Sequence, residues 1–185
     1  MAYIELSDMS EAHSQWLGLN VQAHSAEVKG DLREAQRLFE LAGMLASNNM
    51  GMEGQYAFSC LRVGSILMQY RDEESLSVAL KLFQSTLEIR CRLNAGNLDE
   101  WDIAEVHHCI AQTQQLLHRY ELASESWRKF IRTVNRLAVR PEYLTCINEA
   151  AKELLYCRGK IKGMPDPIGY DGISSAVFWG DWEIA

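Results

Sequence analysis

Apolar positions along this chain recur at intervals of three and four, and that pattern itself returns at a longer period. Leu32, Ala35, Leu38, Phe39, Ala42 and Leu45 are matched by Leu76, Ala79, Leu82, Phe83, Thr86 and Ile89. They are matched again by Tyr120, Ala123, Ser126, Trp127, Phe130 and Thr133, each copy 44 residues after the last. Three-four spacing places such residues on one stripe of an α-helix, which must be buried against a neighbour. In every copy a small residue (Ala35, Ala79, Ala123) stands one turn before a bulky aromatic (Phe39, Phe83, Trp127). A second helix can approach closely at the alanine and pack against the ring.

Ahead of each copy lies another helical segment with its own small residues: Leu19, Ala23 and Ala26; Cys60, Val63, Gly64 and Leu67; His107, Ile110, Ala111 and Gln114. Glycine inside a helix costs about 1 kcal/mol relative to alanine, so Gly64 predicts a site of close helix approach. The breaks agree with pairing. Lys29-Gly30-Asp31 ends one helix on glycine and caps the next, with Glu34 three residues on. Asp72 and Asp99 stand as further caps, and Pro141 suits the first turn of a seventh helix. The expected architecture is an all-α solenoid of three antiparallel helix pairs at about 10–49, 52–95 and 99–139, closed by a cap helix over 141–158. An N-terminal lead (1–9) precedes this repeat domain (10–159), and an irregular tail (160–185) follows it.

Composition supports helix and narrows the function. The 185 residues are 48% hydrophobic, enough for a continuous core, with only three prolines. A net charge of −7 speaks against general affinity for nucleic acid or an anionic membrane. The run Arg128, Lys129, Arg132, Arg136 and Arg140 spreads over more than one helical face and reads as solvated surface. No secretory leader or membrane-spanning stretch is evident, so a cytoplasmic protein with reduced thiols at its five widely spaced cysteines is expected.

The stretch from Lys29 through Ala35, Phe39 and Ala42 to Asn48-Asn49 resembles the second half of a tetratricopeptide repeat. Leu87-Glu88-Ile89-Arg90, then Gly96, Asp99, Ala104 and Arg119-Tyr120-Glu121-Leu122-Ala123, is similar to the lengthened repeats of kinesin light chains. The resemblance covers residues 12–158. It implies an adaptor or scaffold whose first helices line a groove for a protein or peptide segment. The groove residues it implies are Asn20, His24 and Glu27; Leu61, Ser65, Met68 and Gln69; and His108, Gln112 and Gln115. This set is neutral and rich in amides, with Leu61 and Met68 as apolar anchors. Small acidic proteins of this fold also serve as secretion chaperones, which is the main alternative. Open solenoid ends leave room for a homodimer.

The tail carries Asp166, Asp171, Asp181 and Glu183 beside Tyr170, Phe178, Trp179 and Trp182, with no Lys or Arg in its last 22 residues. Gly180-Asp181-Trp182-Glu183 resembles the tryptophan-acidic segments that kinesin light chain repeats bind. Ile168, Tyr170, Val177 and Phe178 can pack along the last helices and extend the cap; alternatively, as that resemblance implies, Phe178, Trp179, Asp181, Trp182 and Glu183 are anchors by which the tail occupies and modulates the groove. No cofactor, metal or catalytic residue is expected, and a helical enzyme or metal protein built around His107 to Cys109 is the least favoured alternative. His107-His108-Cys109 point in different directions on a helix, and the sequence holds no phosphate loop, nucleophile elbow or HExxH run.

Overall fold

A computed structural model describes residues 2–93, 100–137 and 141–161, and all regular structure within them is helical. Seven helices follow in order: α1 (Ala2–Val28), α2 (Leu32–Ser47), α3 (Glu53–Tyr70), α4 (Glu73–Leu93), α5 (Glu100–Leu116), α6 (Tyr120–Arg136) and α7 (Pro141–Lys160). Each packs chiefly on its neighbours in the chain, giving the helix pairs α1–α2, α3–α4 and α5–α6, with α7 against α6. The result is a helical solenoid. Two of its expected boundaries shift: α1 reaches back to Ala2 where a lead was anticipated, and α7 runs on to Lys160. Asp99 and most of the tail lie outside the described residues.

The repeated alanines and aromatics are the core. Ala35, Ala79 and Ala123 are fully buried, as are Phe39, Phe83 and, within 1%, Trp127. One cluster joins α1 to α5 around Phe39, Ile66, Phe83 and Val106, and a second joins α5, α6 and α7 around Trp127, Phe130, Ile147 and Leu154. Gly64 lies under the Phe83 ring. A Cβ added there would stand 2.6 Å from Phe83 Cε1 and 2.8 Å from Cζ, so close approach explains the glycine.

Local chemistry sets the helix ends. Asp31 Oδ1 accepts from the Glu34 backbone N–H at 3.1 Å and Asp72 Oδ1 from that of Ser75 at 2.8 Å, each satisfying a first-turn donor. The turn inside each pair passes through a left-handed residue: Gly30 (φ 79°), Arg71 (φ 58°) and His118 (φ 57°). Only the first is glycine. The Thr86 hydroxyl, fully buried, ties α4 to α3 by donating to the Ala57 carbonyl at 3.3 Å.

Candidate functional site

The first helices of successive pairs lie side by side. Glu27 of α1 pairs with Arg62 of α3, the Trp16 indole N–H donates to Ser59 Oγ across the same boundary, and Gln115 of α5 donates to Glu153 of α7 at 2.7 Å. Helix α7 thus stands beside α5 as a first helix would. Between α3, α5 and α7 opens a recess of 540 Å³, with Trp127 of α6 at its base.

Six expected groove residues meet there: Ser65, Met68 and Gln69 from α3, and His108, Gln112 and Gln115 from α5. Four do not. Leu61 is 3% exposed and belongs to the first core cluster, so it cannot anchor a ligand from the surface. Its helix is packed on several sides, and Ala57, Cys60, Val63, Gly64, Ile66 and Leu67 are buried with it, leaving only a narrow open strip. Asn20 is 5% exposed and donates back to the Trp16 carbonyl at 2.7 Å, so it too faces inward. His24 sets its ring edge-on to Phe39 and lies 3.5 Å from Glu27, whose carboxylate is taken by Arg62. The tail anchors Phe178, Trp179, Asp181, Trp182 and Glu183 lie outside the described residues.

Three acids and two tryptophans missing from the expected set shape the groove. Glu105 of α5 and Glu149 and Glu153 of α7 line a connected 320 Å³ recess with Trp101, His108, Trp127 and Phe130. The groove is therefore acidic and aromatic toward α7 and carries Arg71 toward α3. Glu149 and Glu153 sit four apart on one face of α7, but Glu105 comes from a different helix, and only packing unites the three.

Supporting contacts fix the walls. Gln115 Oε1 accepts from the Trp127 indole N–H at 3.2 Å and from the Cys157 thiol at 3.4 Å, while its amide donates to Glu153. One side chain thereby joins α5, α6 and α7. Arg90, 7% exposed, reaches from α4 to the Asp102 carbonyl and to Glu105 Oε2 at 3.3 Å, offsetting one of the three acids. Trp101 stacks on Tyr143 with ring centroids 4.8 Å apart. His108 meets Trp127 edge-on at 5.2 Å and Phe130 at 5.5 Å.

Burial lowers the pKa of His108, which favours the neutral ring, although Glu105, Glu149 and Glu153 pull the other way. His107 is lowered by burial and by Lys129. Burial, with Glu105 adding to it, pushes the Cys109 thiol up to about 12, so it is a packed group rather than a nucleophile. Among the described residues no three His, Cys, Asp or Glu side chains gather as a metal ion would require. No described helix is long and apolar enough to cross a membrane.

No protein-family model matches the chain, and no curated protein matches it by sequence. The fold has a counterpart among solved structures. The crystal structure of BtubC (BKLC) from P. vanneervenii aligns over 84% of this chain and 68% of its own, with a TM-score of 0.59 and 16% sequence identity. At that identity the likeness shows the helical repeat fold and nothing finer.

Proposed function

We propose that this chain is a tetratricopeptide-type interaction module that holds a segment of a partner protein in the groove across α3, α5 and α7. The observation that carries this reading is the convergence of Ser65, Met68, Gln69, His108, Gln112 and Gln115 on one open recess. Such a surface suits an extended or helical segment. Side-chain amides pair with its backbone, Met68 adapts to an apolar side chain, and rigid aromatic rings hold the floor.

Panning a random dodecapeptide library against the full chain tests the reading when repeated on Met68→Arg/Gln112→Arg, which fills the recess; Met68 also packs against the first core cluster, so circular dichroism verifies that the variant stays folded. Selected peptides should lose at least about tenfold in affinity for that variant. Equal binding to both proteins, or the selection of no peptide, would overturn the proposal.

A further inference from the structure

We infer that the α5–α7 end of this groove is a receptor for an arginine side chain of the partner segment. The inference rests on the groove being a peptide site, and adds the chemistry of its ligand. Three observations carry it. The 320 Å³ recess has room for a long side chain. Its open walls are the half-buried rings of Trp101 and His108, set over the buried Trp127 and Phe130. Its rim places carboxylates on both sides, Glu105 from α5 and Glu149 and Glu153 from α7.

A planar guanidinium fits both features at once: its faces stack on aromatic rings and its edge donates paired hydrogen bonds to carboxylates. A metal ion fits neither, since it would need its ligands gathered at coordination distance. The charge balance also favours a cation. Arg90 answers Glu105 and Gln115 holds Glu153 in place without neutralising it. Burial lowers the His108 pKa and favours its neutral form, so the ring adds a stacking surface rather than an opposing charge. The chain's own last 22 residues cannot supply the ligand, since they hold four acids and no Lys or Arg. A segment of that charge meets like charge here.

The test uses the isotope-labelled full chain and the blocked tripeptide Ala-Arg-Ala, its citrulline counterpart, which keeps the shape and lacks the charge, and a peptide of residues 164–185. The arginine peptide should shift the Trp101 and Trp127 indole resonances saturably, and citrulline or Glu149→Gln should weaken it about tenfold. Glu149 is exposed, so its replacement leaves the fold intact, which circular dichroism would verify. Equal binding of citrulline, an unaffected Glu149→Gln, tighter binding of the tail peptide, or no shift at about 10 mM arginine peptide would each overturn the inference. The broader groove reading falls separately, through Met68→Arg/Gln112→Arg and the peptide library.

Discussion

Replacing Gly64 with alanine sets a methyl carbon 2.6 Å and 2.8 Å from two carbons of the Phe83 ring, where about 3.5–4.0 Å is comfortable. The ring is fully buried and cannot swing into solvent. Either it or α4 must therefore shift by about 1 Å, an overpacking cost of roughly 1–3 kcal/mol. Alanine returns about 1 kcal/mol in helix propensity and reduced freedom of the unfolded chain. The expected net loss is up to about 2 kcal/mol. Gly18 of α1 supplies the matched control, because nothing lies within 4 Å of the Cβ it would gain. Gly18→Ala should stabilise by up to about 1 kcal/mol. Urea unfolding followed by circular dichroism reads both. A Gly64→Ala protein more stable than its parent, as the Gly18→Ala control should be, would refute the close-approach argument. So would a Gly64→Ala/Phe83→Leu double variant whose loss is the sum of the two single losses, since residues in contact should couple.

Two further outcomes follow from the buried titratable groups. The lowered pKa values of His107 and His108 mean that the unfolded chain binds more protons than the folded one once pH drops through the unfolded histidine value. Their stabilising contribution is thus complete above about pH 7.5, falls as pH drops through the unfolded histidine value, and flattens once the folded values are passed. Urea midpoints across that range should decline for the parent and decline less for His107→Gln/His108→Gln, and equal slopes would refute the assignment. Among the cysteines, exposed Cys91 should be alkylated first in the native protein, while Cys60 and Cys157 are buried and the thiols of Cys109 and Cys157 are pushed up to about 12 and about 11. Peptide mapping that finds Cys109 or Cys157 labelled as fast as Cys91 would contradict the packing.

Much of the fold was legible in the sequence, since the same small-then-aromatic signal at Ala35–Phe39, Ala79–Phe83 and Ala123–Trp127 recurs at a fixed period and every one of those residues is buried. Capping by Asp31 and Asp72 and the reason for Gly64 could be read equally well, because each depends on residues close in sequence or on a single missing side chain. The groove was legible only in part. Projecting one exposed strip per first helix puts Met68, Gln112 and Gln115 where the structure has a recess. It failed for Leu61 because α3 is packed on several sides and buries much of its circumference, and for Asn20 because its amide turns back onto the Trp16 carbonyl. The acidic rim gave no local signal: Glu149 and Glu153 look like ordinary surface of α7, and their meeting with Glu105 depends on how α5 and α7 pack. A feature assembled from helices 44 residues apart becomes visible only when repeat offset and helix register are applied together.

The placement of α7 carries a consequence for how the groove is held open. In a stack where each helix leans mainly on its sequence neighbours, a helix with fewer packed neighbours opens more readily, and among the described residues α7 packs chiefly on α6. This helix contributes Glu149 and Glu153, two of the three acids of the rim, and is tethered across the groove through the Gln115 amide. A segment bridging α3 and α7, as proposed, would act as a clasp on α7. Part of its binding free energy would go into suppressing the opening of that helix, so backbone hydrogen exchange of α7 should fall as occupancy rises.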